Sequence, residues 1–173
     1  MNTTIFNFFF SFSHNLFIAD LSLLVSYVFI YIFIVLAIII PVLIRRDFIY
    51  SVLTFLTAGF TWVAVYVIKH IFTIPRPFIT LDLTPLFLET GFSFPSSHVA
   101  VISALTVLVW KVNRKLGIIF AVFSVLVAIS RMIIGVHYPL DVFAGGCLGV
   151  LIGLGIIWFY KKAHQFAFLR KYI

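Results

Sequence analysis

The sequence predicts an all-α integral membrane protein, a bundle of five to six transmembrane helices, and three observations carry that prediction. Of its 173 residues, 64% are hydrophobic and only 10% are charged, whereas a soluble domain carries about 25% charged residues. Five apolar stretches, 21–44, 48–68, 97–111, 115–135 and 139–160, approach the roughly 20 residues needed to cross a bilayer. Finally, most lysines and arginines sit at alternate ends of those stretches. No internal repeat or low-complexity linker divides the chain, so residues 1–173 read as one membrane-embedded domain.

The elements follow in order. The N-terminal run IFNFFFSFSHNLFIA is interrupted by Asn, Ser and His. Residues 1–19 therefore read as an interfacial helix, with a short sixth span as the alternative. No basic segment precedes the apolar part, so a cleaved signal peptide is not expected. The spans over 21–44 and 48–68 are joined by a link containing Arg45 and Arg46. The connection 71–95 is rich in Phe, Leu and Ile and has no lysine. It is expected to be an extracytoplasmic loop lying as an apolar lip against the outer leaflet, where a lipid tail could enter sideways. The third span is the shortest, and its ends are expected to reach into the interfaces. In the last span Gly145, Gly149 and Gly153 recur every fourth residue, the pattern of a close helix contact within a bundle, so no oligomer is implied. Cys147, the one cysteine, excludes an intrachain disulfide and reads as a small buried helix residue.

Nine of the twelve Lys and Arg residues (45, 46, 111, 114, 115, 161, 162, 170 and 171) fall on one side of a five-span topology. Loops rich in Lys and Arg stay in the cytoplasm, so the net charge of +7 is mainly a topology signal with anionic lipids as neighbours. No soluble basic surface is available for nucleic acid. The remaining cations, Lys69, Arg76 and Arg131, lie at the opposite, extracytoplasmic ends, together with His70, His98, His137, Asp82, Glu89 and Asp141.

Three stretches bring polar chemistry to that side: KHIFTIPRP, FPSSH and SRMIIGVHYPLD. Singly, each has a bland explanation. Lysine and arginine snorkel to headgroups, Ser96 and Ser97 are helix caps, and Asp141 suits a first helical turn. Jointly, three cations beside free N–H groups at a helix start form a site for a multiply charged anion such as phosphate. His137 and Asp141, four residues apart, match a base with its orienting carboxylate, and His98 is a second imidazole suited to proton transfer. Two histidines and an aspartate could in principle hold zinc, but three neighbouring cations favour an anion.

Lys69 to Arg76-Pro77, Pro95-Ser96-Ser97-His98, and Ser130-Arg131 to His137 and Asp141 together resemble the three-part signature of the type 2 phosphatidic acid phosphatase superfamily. The resemblance covers residues 69–141. One departure is Ser97, where the family's pattern has glycine; its backbone N–H can still bind phosphate, while the side chain narrows the pocket. The resemblance implies metal-independent hydrolysis of a lipid phosphate or diphosphate with no cofactor. Lys69, Arg76, Ser96, Ser97 and Arg131 would bind the phosphoryl group, and His137 would form a phosphohistidine. Asp141 would orient His137, while His98 would protonate the leaving oxygen and later activate water. The expected substrate is undecaprenyl diphosphate at the outer face of a bacterial inner membrane. Lipid A 1-phosphatase and phosphatidylglycerophosphate or phosphatidate phosphatase are the alternatives, with a non-catalytic lipid-binding or transport protein as the reading from another class.

Overall fold

The computed structural model describes residues 2–170, with side chains to Ala163. Of the cations counted in the tail, Lys171 lies outside the described residues and the side chain of Arg170 is not described. Seven helices are used below: α1 (Asn2–Phe10), α2 (Leu16–Arg45), α3 (Phe48–Phe72), the single turn α4 (Pro77–Thr80), α5 (Ser97–Val112), α6 (Arg114–Ile133) and α7 (Pro139–Arg170). No strand occurs among the described residues.

The helix boundaries follow from local chemistry. Asn15 accepts from the N–H of Ile18 and starts α2, so residues 1–19 are not one element: α1 and a 3₁₀ turn over Ser11–His14 precede the span, which begins at Leu16. Arg46, in the left-handed region, closes α2, and Asp47 caps α3 by accepting from Tyr50 N–H at 2.8 Å. Asn113 starts α6 by accepting from Lys115 and Leu116 N–H. Where α5 and α6 meet, a Cβ on Gly117 would stand 2.6 Å from the Trp110 Cα, so the tight turn needs glycine.

Four helices, those beginning at Leu16, Phe48, Arg114 and Pro139, are long and apolar enough to cross a membrane; α5 is shorter. Their outward residues are large and apolar, Leu16, Leu43, Phe48 and Phe143 among them. Such a surface suits lipid and not water, and the chain is an integral membrane protein.

α5 is the central element, in contact with α2, α3, α6 and α7, and every residue from Val99 to Leu105 is buried. The α5–α7 contact is the closest. Cβ atoms on Gly145, Gly149 and Gly153 would stand 2.6, 2.1 and 2.8 Å from the carbonyl oxygens of Ser96, Ala100 and Ala104. The glycine repeat therefore serves a contact inside the bundle. Because glycines take the inward face of α7, Cys147 points out and is exposed, contrary to the buried position expected of it. On the far side, the Phe33 ring of α2 stacks on Phe123 of α6 at 3.7 Å between centroids. Thr54, Thr57 and Thr61 line the inner face of α3, each donating to the carbonyl four residues back, so their hydroxyls are satisfied within the helix.

Candidate active site

The site lies where α3 ends and α5 and α7 begin. It is held by two connections, 73–96 and 134–138. The second contains Gly135 at φ +91°, where a Cβ would meet the Phe10 ring at 2.8 Å. Thus α1 packs directly on the loop that carries His137, and Phe6, fully buried, lies against Tyr138.

His137 is 1% exposed. Its Nδ1 is 3.6 Å from Asp141 Oδ2 and 3.5 Å from Ser93 Oγ. The first distance is too long for a hydrogen bond. The same Asp141 oxygen accepts from Ser93 Oγ and, at 2.7 Å, from Tyr138 N–H. That second bond is half of a capping box, with Pro139 at the first helical position. Asp141 thus caps α7 and also faces the imidazole, so the bland reading and the functional one hold together. Burial first, then the positive charges of Arg131, Arg76 and Lys69, push the His137 pKa well below its ordinary value. The imidazole is therefore neutral, and with Nδ1 turned toward Ser93 and Asp141, Nε2 is the nitrogen left for chemistry.

Each of the three cations is anchored. Lys69 Nζ donates to the carbonyls of Phe92 and Ser93 at 2.6 and 3.0 Å. Arg76 donates to those of Gly91, Thr90 and Val136, each at 3.1 Å. Arg131 is fully buried. Its Nη2 pairs with Glu89, whose other oxygen is 2.9 Å from Arg76 Nη1. Arg131 Nε and Nη1 and Ser96 Oγ, all buried, have no hydrogen-bond partner among the described residues. Ser96 precedes α5 as its cap residue, yet its hydroxyl makes no capping bond. Its N–H instead donates to the Asp141 carbonyl at 3.0 Å, which joins the starts of α5 and α7.

Ser97, with Lys69 and Arg76, lines a cleft of about 370 Å³. Ser97 and Trp62 also line a second, mostly apolar cleft of about 320 Å³, with His98, Ile30, Ile34 and Gly59. All eight residues singled out in the sequence therefore gather at one end of the bundle, and His98 is among the groups whose charge reaches His137. Of the other polar residues on that side, His70 and Asp82 are exposed, and His70 lines the outer part of the cleft that holds Lys69 and Arg76.

Sequence reasoning missed three contributors. Ser93 stands between His137 and Asp141. Glu89 bridges Arg76 and Arg131. Tyr27, on α2, donates its hydroxyl to Glu89, lays its ring 5.3 Å from the Arg131 guanidinium and meets the His98 ring edge-on at 5.9 Å. It sits in a π-helical turn, Val25–Phe29, a distortion frequent at functional sites. The neighbouring Ser26 bonds Ser130 at 2.7 Å, fixing α2 beside Arg131. Burial alone would raise the Glu89 carboxyl, but Arg131, Tyr27 and Arg76 hold it down at about 2, so it is ionised.

Three known proteins are informative. The undecaprenyl-diphosphatase BcrC of Bacillus subtilis is 36% identical over 109 residues, 60% of this chain and 55% of that protein. The bacitracin transport permease protein BcrC of Bacillus licheniformis is 39% identical over 89 residues, 50% of this chain and 44% of that protein. The chain thus spans about half the length of these curated relatives. Among solved structures, a transmembrane PAP2-type phosphatidylglycerolphosphate phosphatase from Bacillus subtilis superposes with a TM-score of 0.67 at 28% identity. That match covers 86% of this chain and 77% of the other. The family model described as the PAP2 superfamily matches residues 47–165, well over half of the sequence. With site motifs, helical fold and family model in agreement, the chain belongs to the PAP2 superfamily.

Proposed function

We propose that this protein is a membrane lipid phosphatase that removes the terminal phosphate of a lipid phosphate or diphosphate, with undecaprenyl diphosphate as the preferred substrate. One observation carries the reading: the buried, unpartnered donors Arg131 Nε and Nη1 and Ser96 Oγ stand in the same cluster as a neutral His137. Such donors match phosphoryl oxygens. In the reaction His137 Nε2 attacks phosphorus as the bond to the lipid oxygen breaks, and His98, protonated beside the incoming phosphate charge, gives that oxygen its proton. His98 then takes a proton from water, which attacks the phosphohistidine, releases phosphate and restores the imidazole. Asp141 and Ser93 hold His137, and the three cations stabilise charge on the phosphoryl oxygens. The cations repel a divalent metal, so no metal is assigned a step.

The substrate class is supported by two clefts that share Trp62 and Ser97 in their walls. The one with Lys69 and Arg76 suits a headgroup; the one lined by Ile30, Ile34 and Gly59 suits a lipid tail. The isoprenoid assignment draws on the relative named undecaprenyl-diphosphatase. The relative named a transport permease is the observation favouring a second reading, a transport protein with an anion site. We place the site on the outer face of a bacterial cytoplasmic membrane, because nine of twelve Lys and Arg residues lie at the other end in sequence order. The test is phosphate release by purified protein, in the presence of chelator, from undecaprenyl diphosphate, phosphatidylglycerophosphate, lipid A and phosphatidate. The isoprenoid should give the highest kcat/KM; a tenfold preference for another lipid removes that assignment. Failure to release phosphate from any of them removes the phosphatase. Cysteines at Thr84 and Asn113 should label from opposite sides of intact cells, Thr84 from outside.

A further inference from the structure

Glu89 occupies, inside the protein, part of the site that the cations offer to a phosphoryl group. Its two carboxylate oxygens engage Arg131 and Arg76 separately, and Tyr27 donates to the oxygen that also meets Arg131. The side chain is 14% exposed, and the segment carrying it is tied down on both sides, by Leu86 N–H to the Ile134 carbonyl and by Ser93 N–H to that of Ile74. Ionised as it is, Glu89 cannot share two guanidinium groups with an incoming phosphate without like-charge repulsion at close range.

We propose that Glu89 is a specificity-determining residue, a tethered monoanionic competitor that keeps phosphodiester lipids out of the cation site and yields to the dianionic terminal phosphate of a substrate. This rests on the phosphatase reading above. A site with three cations at the edge of a bilayer faces a large excess of phosphodiester headgroups, each able to give its non-bridging oxygens to arginine. Exchanging the Glu89 carboxylate for a phosphodiester replaces one single negative charge by another and brings no Coulombic gain. Glu89 is also intramolecular, with an effective concentration on the order of millimolar or above. A terminal phosphate carries two charges, and its attraction to the same cations at the same distances is about twice as large. It further finds Arg131 Nε and Nη1 and Ser96 Oγ, donors that Glu89 leaves unused. Tyr27 tunes the balance by holding the carboxylate in place, and it belongs to α2, outside the stretch that matches the family model. A preference between phosphate classes is thereby set by a residue pair that the three motifs do not contain.

The experiment measures phosphate release in neutral-detergent micelles as the mole fraction of phosphatidylglycerol, a monoanionic phosphodiester, is raised. The wild type should keep its rate. Glu89→Gln should reach half-inhibition at about one tenth of the phosphatidylglycerol fraction that the wild type needs, and Tyr27→Phe should fall between them. An equal half-inhibition point in folded Glu89→Gln overturns the proposal. If that variant does not fold, an unshifted Tyr27→Phe overturns it. A binding arm needs no turnover: orthophosphate should raise the melting temperature of wild type while dimethyl phosphate does not, and both should raise that of Glu89→Gln. A wild type without phosphatase activity that still separates the two ions this way sinks the catalytic reading and keeps Glu89's role. A wild type that responds equally to both ions, with activity intact, sinks Glu89's role alone.

Discussion

The two ends of the bundle use the same residue type in opposite ways. At the end away from the site, Arg45 donates through Nη2 to the carbonyls of Lys111 and Val112, closing α5, while Arg114 and Lys162 lie over the rings of Trp110 and Trp158. All three cations are exposed, and Arg45 closes α2 and α5 at their C-terminal ends, where a cation complements the helix dipole. At the site end Arg131 is fully buried, only one of its nitrogens faces a carboxylate, and two have no partner among the described residues. A buried guanidinium with spare donors contributes little to a stable fold. The difference separates cations that finish a structure from cations kept ready for a ligand, and it is visible only in the hydrogen-bond inventory.

The comparison breaks most sharply at the proposed nucleophile, His137. His137→Ala is expected to lower turnover by a thousandfold or more, since the covalent route disappears with the imidazole. Retention of a tenth of the wild-type rate, read as phosphate release, would mean that another group attacks phosphorus. Next comes the pair Arg131→Lys and Arg45→Lys. The first loses planar, multiply donating recognition and should drop kcat/KM by about a hundredfold. The second keeps the charge at a carbonyl cap and should stay within about twofold, with a melting temperature a few degrees lower. Equal losses in the two would erase the distinction between the ends.

The smallest effect is on stability. The Glu89 carboxyl is held at about 2 in the folded protein, below its ordinary 4.5. Its contribution is therefore complete above pH 4.5 and is lost as pH falls from there toward 2. Thermal unfolding of wild type should decline across that window more steeply than that of Glu89→Gln. Parallel curves would show that the two arginines do not hold this carboxylate.

Most of the spans, and the gathering of eight polar residues at one end of the bundle, were legible because each leaves a local mark. Apolar runs of fixed length signal helices, and Lys69–Arg76, Ser96–His98 and Arg131–Asp141 cluster within short stretches. Glu89, Ser93 and Tyr27 leave no such mark. Tyr27 meets Glu89 across 62 residues of sequence, and Ser93 meets Asp141 across 48. Charge counting could have found Glu89, because three cations set against Asp141 alone call for a second carboxylate among few candidates. The boundary within residues 1–19 turned on one capping asparagine, Asn15, a polar residue that in sequence looks like any other interruption of an apolar run.

α5 carries a further consequence. Its 16 residues rise about 24 Å, some 6 Å less than a hydrocarbon layer of about 30 Å, and its neighbours wall it off along most of its length. A helix buried along most of its length need not match the bilayer, so the start that presents Ser96 and His98 can lie deeper than the headgroup plane. Either the lipid phosphate descends to meet it or the surrounding leaflet thins, and both adjustments cost more in a thicker bilayer. Catalysis would then respond to acyl-chain length in the host membrane, a dependence on membrane thickness that no residue of the site encodes.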